Sequence, residues 1–297
     1  MTNSSVNPWV LAARPRTLWA AIAPVIVGTG SAIGDQVFRA DALAAALVCA
    51  LALQVAVNFA NDASDARRGA DSDSRIGPTR VVAAGLLPAR SVWIGVVVML
   101  GIASICGFYI AAITTWWLLA VGVAAIIAAL TYTGGPAPYG YRGWGEVSVF
   151  VFFGLMATVG SRFAHDGTGP AEAWLLAIPV GFTVTAILVV NNLRDIDTDA
   201  AVGKRTLAVL LGRPGTRLLY TALIGGAFGL VAIWAALGFT PPWTGLALLS
   251  APMAIPLIRT VRSASADDGP ALIRVLENTA RLHFLMGVGL GLGAALG

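Results

Sequence analysis

The sequence predicts an all-α fold, a multi-span transmembrane helical bundle of about nine helices with a cytoplasmic N-terminus, and three observations carry that expectation. The 297 residues are 57% hydrophobic and only 11% charged, with a mean hydropathy of +0.80, a balance foreign to soluble globular domains. Nine apolar runs, at 18–34, 42–60, 91–112, 115–133, 145–164, 173–192, 218–238, 242–260 and 281–297, are about long enough to cross a bilayer. With the N-terminus inside, 17 of the 19 basic residues fall on one side and only Arg39 and Arg162 on the other. By the positive-inside rule the crowded side is cytoplasmic.

The first run follows the basic segment Ala13-Arg14-Pro15-Arg16 and leads into eight more, so it reads as an uncleaved anchor. Cys49 and Cys106 fall inside the second and third runs, where packing in the apolar interior is their expected role and no disulfide or metal spacing suggests another. The segment from Thr131 to Glu146, between runs four and five, holds more Gly, Pro and aromatic residues than a bare connector needs. Only Ser263 to Pro270 has the character of a linker, and it is short. Residues 1–297 are therefore expected to form a single integral-membrane domain. The pI near 9.5 follows from the cytoplasmic loops and calls for no nucleic-acid partner.

Two acidic clusters stand out against this apolar background, each at the end of a run. The first is Asn61-Asp62-Ala63-Ser64-Asp65, continuing through Gly69, Asp71 and Asp73; the second is Asn191-Asn192-Leu193-Arg194-Asp195-Ile196-Asp197-Thr198-Asp199. Together they hold seven of the fifteen carboxylates. Each places an Asn four residues before an Asp, Asn61 with Asp65 and Asn191 with Asp195, and Asp199 follows one turn later. On a helix such groups stack on one face, roughly 6 Å of rise apart. Each cluster is followed by cationic residues, Arg75 and Arg80 after the first and Lys204 and Arg205 after the second, a weak internal repeat whose copies lie about 130 residues apart. Repeated halves of a membrane bundle commonly share a site between them.

Mg²⁺ takes hard oxygen donors and is typically held by one or two carboxylates together with substrate phosphates. Asn61, Asp65, Asp195 and Asp199 supply that minimum for two ions, and Arg80, Arg142, Lys204 and Arg205 are placed to meet remaining phosphate charge. An apolar bundle beneath such a site would accept a hydrocarbon tail, so the combination describes a lipid diphosphate. Asp62, Asp73 and Asp197 stay open between ligand, supporting partner and solvated surface. Gln54 and Asn58, on the face of Asn61, read either as polar helix contacts or as supports for the ligands. Tyr139, Tyr141 and Trp144 have an ordinary reading as an interfacial aromatic belt. Arg259, Arg262 and Arg274 read as orientation charges, and His165 and His283 as loop or interface residues.

The segments Asn61-Asp62-x-x-Asp65-x-x-x-Gly69-x-Asp71 and Asn191-x-x-Arg194-Asp195-x-x-x-Asp199 resemble the two aspartate-rich motifs of the UbiA-type intramembrane prenyltransferases, and the resemblance extends over essentially the whole chain. Ala13-Arg14-Pro15-Arg16-Thr17, the run Thr131-Tyr132-Thr133-Gly134-Gly135-Pro136 through Glu146, and Asn191 onward to Gly203-Lys204-Arg205-Thr206-Leu207-Ala208-Val209 are similar to the branch that prenylates 1,4-dihydroxy-2-naphthoate in menaquinone biosynthesis. The spacing from Asp65 to Asp71 departs from the 4-hydroxybenzoate branch. The resemblance implies a UbiA-type fold, Mg²⁺ as cofactor on Asn61, Asp65, Asp195 and Asp199 with Asp71 assisting, and Arg80, Lys204 and Arg205 on the diphosphate. It places the aromatic acceptor near the segment from Tyr139 through Arg142 to Glu146. Whether a side chain deprotonates the naphthol stays open, with Glu146 and an unassigned carboxylate of the first cluster as candidates.

The implied reaction transfers a polyprenyl group from its diphosphate to 1,4-dihydroxy-2-naphthoate, releasing diphosphate and carbon dioxide and giving demethylmenaquinol, at a cytoplasm-facing site in the cell membrane. Two rivals remain at this point. One is a UbiA-type transferase with another acceptor, such as 4-hydroxybenzoate, a chlorin, haem or a phosphosugar. The other is a secondary transporter, against which stands the gathering of carboxylates at one face rather than at the midplane of several spans.

Overall fold

The computed structural model describes residues 7–68, 77, 79–265 and 268–297, and among them every regular element is helical. Each apolar run becomes a helix or a bent pair of helices. In chain order these are α1 (Pro8–Ala13), α2 (Trp19–Gly34), α3 (Ala40–Arg67), α4 (Ala89–Ile113), α5 (Trp117–Thr131), α6 (Gly145–Val149), α7 (Ala157–Asp166), α8 (Ala171–Arg194), α9 (Ile196–Ala201), α10 (Leu207–Leu237), α11 (Ala251–Ser263) and α12 (Gly269–Ala295). A π-helical stretch, Phe150–Met156, joins α6 to α7, and a 3₁₀ stretch, Pro242–Ser250, leads into α11. Both junctions carry the helix across its irregularity, so α6 to α7 and the 3₁₀ stretch to α11 each act as one span.

Six described helices are long and apolar enough to cross a bilayer, and a seventh arises if the bent pair Pro8–Thr17 and Trp19–Gly34, angled by 48°, is taken as one. The chain is thus an integral membrane protein. The sequence runs at 18–34, 115–133 and 281–297 fall short for separate reasons. Helix α2 has 16 residues and α5 has 15, whereas α12 is long but carries Arg274, Glu277 and Arg281 in its first half.

Packing follows residue size. Helix α2 lies between α7 and α12 and approaches both closely. A Cβ added at Gly30 would fall on the carbonyl of Gly291 in α12, and one at Gly28 would strike the Thr158 carbonyl and lie 2.7 Å from the Arg162 amide nitrogen in α7. Close backbone approach through small residues is the usual way membrane helices gain contact when lipid is as apolar as their side chains. Helix α8 is the central element, packed on α10, α12 and the π stretch, and most of its residues are buried. Helix α5 is the opposite: it rests on α3 and α4 and none of its residues is buried. Trp116 and Trp117 at its start and Trp243 are well exposed, as an aromatic girdle at a membrane boundary would be.

Two sequence expectations change here. Neither histidine lies in a loop: His165 is buried in α7, where its Nδ1 accepts the Arg39 backbone N–H at 3.0 Å, and His283 is fully buried in α12, with Nδ1 2.8 Å from the hydroxyl of Thr183 in α8. Cys49 and Cys106 are free, as expected, but Cys49 lines a cavity rather than the packed interior.

Candidate active site at the mouth of an apolar cavity

One cavity of about 410 Å³ runs through the bundle. Its spine is a single face of α3, on which Ala46, Cys49, Leu53, Val57, Asn61 and Asp65 recur at three- and four-residue intervals. Nineteen residues at 1.5 Å each make this face about 28 Å long. The far part is apolar and formed by small or aliphatic residues such as Ala46, Gly107, Val121, Gly122 and Gly160. The other end is polar, with Asn61, Asp65, Arg80, Tyr141, Asn191, Asp195, Asp199 and Lys204 around it.

Local chain geometry puts these groups there. Helix α8 breaks at Asp195 (φ −95°, ψ 8°) and α9 begins at the next residue, yet Asn191, Asp195 and Asp199 all still face the cavity. Two residues beyond α9 stands Gly203, whose φ of 76° is in the left-handed region, and this turn brings the Lys204 amide back to the Asp199 carbonyl at 2.9 Å. Arg80 is set by Asp62. That carboxylate is fully buried, and its two oxygens accept the backbone N–H groups of Val81 and Val82, both at 3.0 Å. Of the three roles left open for Asp62, the structure thus gives it that of a support. Asp197 is solvated and pairs with Arg213 at 2.6 Å.

Asp65 is the hub. Its Oδ1 accepts the Tyr141 hydroxyl at 2.8 Å, its Oδ2 accepts Arg80 at 3.0 Å, and Lys204 Nζ is 3.7 Å from the same oxygen. Lys204 Nζ also lies 3.5 Å from Asp199 Oδ1 and 4.6 Å from the centre of the Tyr141 ring. Asp195 is held in a fork by Arg194 Nε and Nη2, at 2.7 and 2.6 Å, and the same Nη2 also donates to Asn191 Oδ1 at 3.0 Å. Asn61 Oδ1 accepts the Thr133 hydroxyl at 2.9 Å. Burial pushes the Asp199 carboxyl up to about 6 against the pull of Lys204, and the Asp195 and Asp65 carboxylates add to the rise. Burial, reinforced by Asp65, also raises the Tyr141 phenol.

Hard oxygen donors from two helix ends, one of them a carboxyl that burial makes reluctant to ionise, fit a divalent cation. Among the described residues no three carboxylates, histidines or cysteines converge into a cage of their own. That suits Mg²⁺, which commonly completes its shell with water and substrate phosphate.

The structure brings Asn61, Asp65, Arg80, Tyr139, Asp195, Asp199 and Lys204 together around the cavity. Three expected residues are elsewhere. Arg142 is exposed and does not line it. The Arg205 side chain is exposed, and only its backbone contributes, by donating 2.9 Å to the Tyr141 carbonyl. Glu146 is buried but stands behind the wall, 2.9 Å from Asn192. Asp71, with Gly69, Asp73 and Arg75, lies outside the described residues. Sequence reasoning left out Thr133, Asn192 and Arg194 as site residues and gave Tyr141 a membrane-belt role. A hydroxyl-bearing residue in the Gly- and Pro-rich segment was the available signal for both Thr133 and Tyr141.

Comparison with known proteins bears on the family and the fold. The model of the UbiA prenyltransferase family matches residues 21–285. The chain is 42% identical over 280 residues, 93% of its length and 92% of the relative's, to the 1,4-dihydroxy-2-naphthoate octaprenyltransferase of Mycobacterium tuberculosis. Its fold is similar to that of a UbiA homolog from Aeropyrum pernix K1 in its apo form, with a TM-score of 0.69 at 17% identity over 91% of this chain and 96% of that one. It is also similar to a UbiA homolog from Archaeoglobus fulgidus bound to GPP and Mg²⁺, with a TM-score of 0.65 at 13% identity over 96% and 99% of the two chains.

Proposed function

The chain belongs to the UbiA prenyltransferase family, and on that premise we propose that it transfers a polyprenyl group from polyprenyl diphosphate to 1,4-dihydroxy-2-naphthoate. Diphosphate and carbon dioxide leave, and demethylmenaquinol is formed in menaquinone biosynthesis. One observation supports the donor half most strongly: carboxylates and cations surround the polar end of a cavity whose lining along α3 from Ala46 to Val57, about 16 Å, is apolar except for Gln54. The acceptor half rests on the relatives that are 1,4-dihydroxy-2-naphthoate octaprenyltransferases.

In this reading Asn61, Asp65, Asp195 and Asp199 would hold Mg²⁺, with Asp71 assisting. Mg²⁺ supplies positive charge for the leaving diphosphate. Lys204 and Arg80 reach the same anion from the protein side, as donors fixed before the reaction starts. The allylic C–O bond then breaks with its electron pair going to the diphosphate, the carboxylate-bearing ring carbon of the acceptor closes on the allylic carbon, and the ring–carboxylate bond breaks with its electron pair returning to the ring as carbon dioxide leaves. The apolar wall keeps water from competing with the ring. Tyr139, whose hydroxyl is anchored 2.9 Å from the Ala128 carbonyl and 2.8 Å from Ser148, forms part of the wall where the acceptor would lie. Arg142 and Arg205 serve as rim charges instead of direct contacts.

Purified protein given Mg²⁺, a labelled polyprenyl diphosphate and a panel of aromatic acceptors is expected to label 1,4-dihydroxy-2-naphthoate in preference to 4-hydroxybenzoate. Excess chelator should stop turnover and added Mg²⁺ restore it. Undiminished activity in chelator would exclude the metal, and a different preferred acceptor would redirect the assignment.

The site is proposed to face the cytoplasm across the cell membrane, since the basic loops gather at that end. A Ser265→Cys variant, in a background lacking Cys49 and Cys106, is expected to react with impermeant thiol reagents from the cytoplasmic side only. Labelling from outside reverses the orientation.

A further inference from the structure

Glu146 lies outside the cavity yet is oriented toward one of its wall residues. It sits in the first turn of α6, 5% exposed, under the Tyr132 ring that packs over Gly145. Its Oε1 accepts Asn192 Nδ2 at 2.9 Å, and its Oε2 has no hydrogen-bond partner among the described residues. Asn192, on α8, does line the cavity. A carboxylate oxygen of this kind accepts a hydrogen bond, so it fixes which way the Asn192 amide is turned: the NH₂ goes into the wall and the carbonyl oxygen is left for the cavity side. The neighbouring amide is fixed in the opposite sense. Asn191 Oδ1 is taken by Arg194 at 3.0 Å, so Asn191 offers its N–H groups, one of them 3.5 Å from Asn192 Oδ1. Two adjacent wall residues therefore present an acceptor and a donor side by side, at the boundary between the polar mouth and the apolar part.

An aromatic ring bearing a hydroxyl next to a carboxylate has the complementary pair. We propose that Glu146 is a positioning residue that holds Asn192 with its carbonyl oxygen toward the cavity, where it accepts the hydroxyl of the aromatic substrate, while Asn191 donates to the adjacent carboxylate. This rests on the acceptor assigned above. It also gives Glu146 a role that needs no contact with substrate and no proton transfer. Replacement by Gln keeps the shape but supplies an NH₂ as well as an oxygen, so the Asn192 amide is no longer held in one sense.

The test compares 1,4-dihydroxy-2-naphthoate with its 1-O-methyl ether, which lacks the proton that Asn192 would accept. Wild type is expected to prefer the free hydroxyl by at least about tenfold in kcat/KM, the scale of one hydrogen bond to a buried partner. In Glu146→Gln that preference should fall toward one, with a raised KM for the free acceptor and an unchanged KM for the prenyl diphosphate. Asn192→Leu, which removes the carbonyl itself, should lose the preference in the same way, so the inference survives a poorly folding Glu146 variant. A preference retained in either folded variant overturns it, as does an equal loss of efficiency on both acceptors with the diphosphate KM rising in parallel, the mark of a merely structural residue. A wild-type enzyme that prenylates other arenes but not hydroxynaphthoate fails the functional reading first, and that result is distinct because it appears before any substitution is made.

Discussion

Asp65→Asn is expected to lower prenyl transfer by about a thousandfold, equivalent to roughly 4 kcal/mol of transition-state stabilisation. Asp65 is the point where Arg80, Lys204 and Tyr141 converge, and it is the proposed metal ligand from the first acidic cluster. The amide is nearly the same size but carries no charge, and it presents one oxygen where the carboxylate has two. The same change removes one counter-charge from two cations that are themselves largely shielded from water, so the folded protein should also lose thermal stability. Turnover is therefore measured on the detergent-purified, monodisperse fraction with both substrates saturating. Activity within tenfold of wild type would remove Asp65 from the metal site.

The second large effect is structural. Gly30→Val is expected to prevent accumulation of folded protein, and Gly30→Ala to cost on the order of 3 kcal/mol, the upper range for forcing atoms into a packed contact. The added Cβ falls on the Gly291 carbonyl, and neither backbone can yield without separating α2 from α12. Gly225→Ala is the matched control, because nothing lies within 4 Å of a Cβ there, and a small gain from reduced unfolded-state freedom is the expected outcome. Thermal unfolding followed by size-exclusion recovery distinguishes the two. Equal stability of Gly30→Ala and Gly225→Ala would mean that the α2 to α12 crossing is looser than its geometry indicates.

The membrane class, the helix positions and the two acidic clusters were all legible in the sequence, because apolar run length and four-residue spacing are local properties. The α3 face from Ala46 to Asp65 follows from helical period alone, and Asn191, Asp195 and Asp199 keep a common direction even though α8 breaks between them. What escaped was decided by neighbours distant in the chain. Arg142 and Glu146 are four residues apart, yet one points to solvent and the other into the wall, since a 3₁₀ turn ends between them at Gly143 (φ 82°). Lys204 and Arg205 are adjacent and cationic; only the first is turned inward, by the reversal at Gly203. Asp62 stays open in the sequence between ligand, support and solvated surface because it adjoins Asn61, but a shift of one residue on a helix rotates the side chain by about 100°, away from the cavity and onto the Val81 and Val82 amides.

Lys204 has a further consequence for how the substrates arrive. Its ammonium group stands between Asp199 and Asp65 as an internal counter-ion, so a free divalent cation entering alone must displace a charge already in place. A cation that enters with diphosphate gives that lysine a new anion in the same event. On the reading proposed above, metal and donor would be thermodynamically coupled, each strengthening the other's binding by one common factor. The enzyme would discriminate against ambient Mg²⁺ and select the ion already complexed to its allylic donor.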